Sequence, residues 1–380
     1  MNILFLSHTY WDSLYRVGSH HLAENLAKAG HQVLYVSAPI SLLHYLKYAK
    51  LRHRIERAGT LQTVMTNLQA LIPRTLIPSG LLVNEGFDAA FLGRGAIAST
   101  LRKLNIDCFD LVLIDDPKLT GLLRHIPHKQ LIYRPTDIYS EMGLKNWRKL
   151  ESYLLARCHG IVATSGPVLS FLNTTFGADK PSLVLINGVD FDLFSQSREC
   201  PQEYAGNLRK KCVYVGALDF RFDFDALAHA ARVRTDIDFY IIGVVSAESA
   251  AQFISQSNVK FLGSKPYAEI PAYLQHADVG LLLLRPTSAN MGRSPMKLYE
   301  YLASGIPVVA LKTDELKRRQ QQRVYTYDDD TSLLEALSDA LHEPRENFFE
   351  PSLSWRIIAQ TMLSFAGSHP RANETSLGAS

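Results

Sequence analysis

At 380 residues the chain is longer than the roughly 250–300 at which a single hydrophobic core stops growing, so two domains are expected. A 47% hydrophobic and 20% charged composition excludes wholesale disorder, and a net charge of +3 excludes a general nucleic-acid binder. Four cysteines (Cys108, Cys158, Cys200, Cys212) form no C-x-x-C pair, which argues for a reducing compartment and against a zinc site. The apolar opening, Ile3 to Leu6, has no basic lead-in and meets His8 at once; it reads as a strand, not a signal peptide. Further strands are predicted at 32–38, 110–115, 131–135, 160–164 and 182–187, with helices between them. One helix, His20 to Ala29, is stopped by Gly30. Residues 191–210 are polar and irregular, as a linker would be. A second series of strands follows at 212–216, 238–242, 259–262, 279–284, 307–311 and 324–327. No apolar run approaches the ~20 residues needed to span a bilayer. A helix from Trp355 to Phe365 closes the pattern, and the tail from Gly367 to Ser380 is expected to be disordered.

Short aliphatic strands alternating with helices predict an α/β protein with two Rossmann-like, doubly wound domains facing across a cleft. The expected division is 1–195, completed by a helix over 354–366, then 196–353, then a tail over 367–380. Ligands in such sheets bind beyond the carboxyl ends of the strands, which directs attention to the loops there.

The charge is uneven. Residues 41–105 hold nine basic and three acidic side chains. The stretch 41–57 mixes aliphatic, tyrosine and basic residues, and suits either an anionic membrane surface or a solvated helix at the domain edge.

The segment Arg293 to Val309 carries the most chemistry. Ser294 is placed to cap a helix, Pro295 to begin it and Gly305 to end it. Such a helix end offers free N–H groups to a phosphate. Lys297 adds a full charge, and Glu300 follows at i+3 on the same face, where a carboxylate can accept from a ribose diol. Gly216 permits close backbone approach to a ligand, Arg221 and Arg285 are candidate anion ligands, and Arg285 and Asn290 are expected to face the same cleft. Asp328 to Asp330 reads as a solvated turn rather than a metal site. There is no G-x-G-x-x-G after the first strand and no Walker loop, which argues against a dehydrogenase or an ATPase.

The run Ser-Pro-Met-Lys-Leu-Tyr-Glu-Tyr-Leu-Ala-Ser-Gly-Ile-Pro-Val-Val (294–309) resembles the nucleotide-sugar signature of GT-B glycosyltransferases, especially family 4. Asn187 to Phe194, Tyr214 to Leu218 and Asn258 to Tyr267 are similar to other stretches of that family, in the same order. The glutamate expected eight positions before Glu300 is replaced by Gly292. Leu131 to Asp137 resembles instead the Y-R-x-x-D stretch of the family 70 xanthan-type glucuronosyltransferases. That resemblance implies an inverting reaction with Asp137 as general base. It also implies Met296 as a contact for the nucleotide, Lys297 on the pyrophosphate, Glu300 on the ribose, and His8, Gly18 and His20 in the loop that meets the acceptor. Asp137 also suits the cap of a helix over 138–150, and Asp115 and Asp116 are rival carboxylates.

The function expected is transfer of a sugar, glucuronate by the family 70 likeness, from a UDP-linked donor to a lipid-linked oligosaccharide. No cofactor or metal is expected, and the location is the cytoplasmic membrane face. Retaining hexosyl transfer, UDP-sugar 2-epimerisation and non-catalytic nucleotide-sugar sensing stand as alternatives.

Overall fold

The structure is a computed structural model describing residues 1–41, 52–75, 88–144, 146–346 and 348–369. It divides into two units. The first comprises residues 1–13, 17–186 and 355–380, and the second 14–16 and 187–354.

The first unit is built on an eight-stranded sheet. In chain order its strands are β1 (Asn2–Leu6), β2 (Gln32–Val36), β4 (Leu61–Met65), β5 (Leu68–Leu71), β7 (Phe109–Ile114), β8 (His128–Tyr133), β9 (Gly160–Ala163) and β10 (Ser182–Val184). They lie in the order β10-β9-β8-β7-β1-β2-β5-β4. A separate pair, β3 (Ile40–Ser41) and β6 (Arg74–Thr75), sits apart. All pairings in the large sheet are parallel except β4 with β5. That hairpin was not expected. It turns at Thr66-Asn67, where Asn67 takes φ 65°, and extends the sheet beyond β2.

The central strands are apolar on both faces, as a covered parallel sheet requires: Ile3 to Leu6 and Leu111 to Ile114 are fully buried. Helix Gly18–Lys28 ends as expected, with Gly30 at φ 90°. The closing helix runs from Trp355 to Ser368, so residues 367–368 of the expected tail are helical; residues 370–380 lie outside the described ones. It packs on helix Gly18–Lys28, stacking Trp355 on His21 at 5.1 Å, while Gln130 Nε2 donates to the Ala366 carbonyl at 2.7 Å.

The second unit is a six-stranded parallel sheet of β11 (Lys210–Val215), β12 (Ile237–Ile242), β13 (Val259–Gly263), β14 (Val279–Leu282), β15 (Val308–Leu311) and β16 (Val324–Tyr327), ordered β13-β12-β11-β14-β15-β16. In each sheet the order reverses beside the first strand: at β1/β7 in one unit and β11/β14 in the other. Ligand sites of open α/β sheets form at such reversals.

The division between the units falls at 186/187 rather than after residue 195. Asp190 caps helix Phe191–Ser195 by accepting from Leu193 N at 3.1 Å, and that helix packs on helices Ile270–Gln275 and Met296–Ala303 of the second unit. Gln275 Nε2 then donates to the carbonyls of Phe194 and Gln196, each at 2.8 Å. The expected linker is thus tied to the second unit.

Candidate functional site

In the second unit β11 runs into Gly216, whose N–H donates to the Ile242 carbonyl at 2.8 Å. Its φ of 150° is open to glycine, and a Cβ there would lie 2.1 Å from Lys297 Nζ. Gly243 is equally constrained, because its Cβ would meet the Gly216 carbonyl oxygen at 2.0 Å. Gly216 therefore leaves room for the lysine, and Gly243 for the Gly216 carbonyl.

Lys297 comes from helix Met296–Ala303. The helix is held to the sheet by Tyr301. Its ring lies where a Cβ on Gly280 would fall 2.3 Å away, and its hydroxyl accepts from Val215 N at 2.9 Å. Ser294 does not cap this helix. The helix begins one residue later than expected, with Pro295 in the cap position, and no side chain caps its first turn. Ser294 Oγ instead accepts from Arg319 Nη2 at 3.0 Å, and its carbonyl accepts from Asn187 Nδ2 at 2.9 Å. The first N–H groups thus have no side-chain acceptor, the arrangement that suits an anion.

Lys297 is half-buried, with Nζ 5.1 Å from the centre of the Tyr214 ring. Desolvation, and then the positive charge of Arg293, push its pKa down to about 8. Glu300 opposes that shift. Glu300 is itself buried and accepts from Tyr267 Oη at 2.8 Å. Burial raises its pKa to about 7, against the pull of Tyr267 and Lys297, with Asp190 adding to the rise. An anion beside Lys297 would relieve the repulsion that depresses it.

The other expected donor ligands stand differently. Met296 is half-buried at the first helical position. Arg221 is engaged with Asp219: Nε donates to Oδ1 at 2.9 Å and Nη2 to Oδ2, so reaching a phosphate would cost it that pair. Arg285 is exposed. Its N–H donates to the Arg221 carbonyl at 2.9 Å, and buried Asn290 ties the carbonyls of both arginines through Nδ2. Asp329 caps helix Asp330–His342 and Asp328 pairs with Lys312 at 3.1 Å. No metal-binding group of His, Cys, Asp or Glu occurs among the described residues.

In the first unit the polar groups gather at the carboxyl ends of β1, β7 and β8, three neighbours in the sheet. Asp115 follows β7 and is 1% exposed. Burial pushes its pKa up to about 6, opposed by His8 and Arg134. Arg134 follows β8 and is itself buried, and the Asp115 carbonyl accepts from Tyr139 Oη. Asp116 does what Pro117 suggested: it caps the turn by accepting from Lys118 N at 2.8 Å. Its other oxygen lies 3.7 Å from His8 Nδ1, on a side chain 50% exposed.

Asp137 ends the same cluster, accepting from Thr136 Oγ1 at 3.0 Å, and that hydroxyl reaches Tyr139 Oη at 3.3 Å. The helix it could have capped, 138–150, is not formed there. Gly143 and Asn146 take positive φ, and the helix starts at Trp147. Gly18 is the buried first residue of its helix. His20 is occupied by the fold: Nδ1 accepts from Val17 N at 3.1 Å, Nε2 faces the Tyr10 carbonyl at 3.1 Å, and the ring is buried beside Tyr35. These contacts shape the loop that precedes its helix.

Tyr267, Arg293, Arg134 and Tyr139 had no assigned role in the sequence reading. Tyr267 and Arg134 stood inside the quoted motifs, and a hydroxyl or guanidinium there was the available signal.

Residues 209–343 match the profile of the glycosyl transferases group 1 family, and residues 5–151 that of the glucuronosyltransferase GumK N-terminal domain. The sucrose-phosphate synthase of Thermosynechococcus elongatus superposes with a TM-score of 0.66 at 14% identity, covering 98% of this chain and 95% of that one. Alr3699/HepE of Anabaena, solved with UDP, gives 0.63 at 15% identity, covering 97% and 100%. The chain has the GT-B fold of these structures, and two glycosyltransferase profiles match its two halves. TuaH of Bacillus subtilis (strain 168), assigned to teichuronic acid biosynthesis as a glycosyltransferase, is 25% identical over 198 residues, half of this chain and half of that relative's length. Within this GT-B chain, the group 1 match contains Gly216, Lys297 and Glu300, and the GumK-type match contains His8, Asp115, Arg134 and Asp137.

Proposed function

We propose that this chain moves a sugar from a UDP-linked donor to a lipid-linked oligosaccharide in polysaccharide biosynthesis, with inversion at the anomeric carbon. The observation that carries the donor side is the close approach of Lys297 to Gly216, beside a helix start that no side chain caps. Lys297 and the free N–H groups take the diphosphate, and Glu300 takes the ribose diol. The UDP-bound HepE structure supports the choice of nucleotide. Asp137 takes the proton of the attacking hydroxyl as the carbon–oxygen bond forms and UDP leaves. The GumK-type match over residues 5–151 supports glucuronate as the donor sugar.

Lys297 and the helix end neutralise the leaving diphosphate, so the reaction proceeds without metal. Activity in EDTA checks this, and loss restored by Mg²⁺ overturns it. The acceptor's lipid places the chain at the cytoplasmic membrane surface. Of the segment proposed for that contact, 42–51 lies outside the described residues. Arg54 is engaged with Asp12 at 2.8 Å and lies over the Tyr10 ring. No helix among the described residues is long and apolar enough to cross a membrane.

The test is incubation with UDP-glucuronate or UDP-glucose and a membrane lipid extract, followed by the stereochemistry of the product. Inverted glucuronosyl-lipid is expected. Retained configuration would move the chain to the family 4 mechanism, which the group 1 match over 209–343 supports. Epimerised free sugar would make it an epimerase.

A further inference from the structure

Helix Asp314–Arg319 follows β15 and is capped by Thr313, whose Oγ1 accepts from Leu316 N at 3.2 Å. It carries a buried ion cluster with no part in the site described above. Glu315 is 0% exposed. Its Oε1 accepts from Arg318 Nη2 at 2.8 Å and from Arg319 Nε at 2.7 Å. The Arg319 side chain is 7% exposed, and its Nη2 also lies 2.6 Å from Glu315 Oε1. Nη1 donates to Tyr299 Oη at 2.6 Å and Nη2 to Ser294 Oγ at 3.0 Å. Those two residues flank the start of helix Met296–Ala303, one just before it and one in its first turn.

Tyr301 holds the body of the helix to the sheet, but its start lacks a side-chain cap. That start is braced from outside, by Arg319 on the Ser294 hydroxyl and by Asn187 on the Ser294 carbonyl. Burying two ions carries a desolvation cost that a hydrophobic pair would avoid. A planar guanidinium, however, can hold three partners in one fixed geometry, as an apolar side chain or a lysine cannot.

We propose that Glu315 and Arg319 are positioning residues for the donor diphosphate: Glu315 orients Arg319, and Arg319 sets the location of the helix start that meets the phosphates. Neither side chain touches the ligand. The inference rests on the reading of that helix start as the diphosphate site.

The experiment titrates UDP and uridine into the full chain by ligand-observed NMR, for wild type, Arg319→Met, Arg319→Lys, Glu315→Gln and Lys297→Ala. Uridine lacks the phosphates and reports the rest of the site. Arg319→Met is expected to weaken UDP about tenfold while leaving uridine unchanged, because sub-ångström misplacement of preorganised donors costs on this scale. Arg319→Lys keeps the charge without the fork and is expected to recover part of the loss. Should Arg319→Met fail to fold, Glu315→Gln keeps the volume, frees Arg319 to move, and is expected to weaken UDP about threefold. UDP bound as tightly by the variants as by wild type, or UDP and uridine weakened alike, would overturn the proposal and leave the pair a structural brace. A wild type that ignores UDP, or Lys297→Ala that binds it fully, removes the donor-site reading and this inference with it.

Discussion

In the second unit one helix of eight residues carries both Lys297 and Glu300, whereas in the first unit His8, Asp115 and Asp137 come from the ends of three neighbouring strands. The helix needs only its own spacing and one glycine opposite. The strand-end cluster exists only once β1, β7 and β8 pair, and its groups depend on one another through Tyr139, Thr136 and Arg134. Substitutions at the helix should therefore weaken a ligand and little else. Substitutions at the strand ends should separate chemistry from binding.

The largest effect tests that separation. Asp137→Asn is expected to cost about 10²–10⁴ in turnover with donor affinity unchanged. Near-normal turnover would move the base to Asp115 or to His8 beside Asp116.

Next comes the helix. Lys297→Ala and Glu300→Ala should each weaken UDP by about 1.5–3 kcal/mol, the range for charge-assisted hydrogen bonds. Gly216→Ala should act like Lys297→Ala, since its methyl group would occupy the ammonium's place. A calorimetric titration in which Gly216→Ala binds UDP normally would show that Lys297 can serve from elsewhere.

A smaller effect comes from pH, read on a UDP-sugar whose diphosphate does not titrate near neutrality. Glu300 must be ionised to accept from the diol, so affinity should fall as pH drops below about 7. Lys297 must be protonated, so affinity should fall as pH rises above about 8. The profile is a narrow bell, and Lys297→Arg should flatten its alkaline limb, because guanidinium stays charged. A profile flat from pH 6 to 9 would remove both groups from the site.

The smallest effect concerns the membrane. Each basic group near an anionic surface contributes about 1 kcal/mol. Reversing Lys47 and Lys50 to Glu should reduce co-sedimentation with anionic vesicles. Reversing Arg54 should do less, because Asp12 already neutralises it. Equal loss from all three would mean that the Arg54–Asp12 pair opens at the surface.

The contrast also explains what could be read in advance. All twelve strands expected in the two series are present; the central ones, such as β1, β7 and β12, are fixed by burial on both faces of a sheet, and the edge strands β10 and β13 by their short apolar runs. The hairpin β4/β5 was missed because Gln62, Thr63 and Gln69 interrupt its apolar runs and the tight turn at Thr66-Asn67 carries no glycine to mark it. Lys297 and Glu300 were legible from i+3 spacing. The Ser294 cap failed because Arg319, 25 residues away, claims the hydroxyl. Arg221 was offered as an anion ligand without weighing Asp219, two positions earlier, which pairs with it. Arg134 was passed over because nothing local shows that a basic residue after an apolar strand will be buried beside Asp115.

The placement of helix Trp355–Ser368 in the first unit has a consequence for how the molecule is made. Residues 187–354 form an uninterrupted stretch of the second unit, and its sheet can assemble as soon as they leave the ribosome. The first unit begins earlier but lacks the surface that covers helix Gly18–Lys28 until the closing helix is synthesised. Until then His21 has no Trp355 to stack on, and the Gln130 amide has no Ala366 carbonyl to meet. The part of the chain translated first is the last to be sealed, and a nascent chain halted before residue 355 would display that uncovered helix to chaperones and proteases.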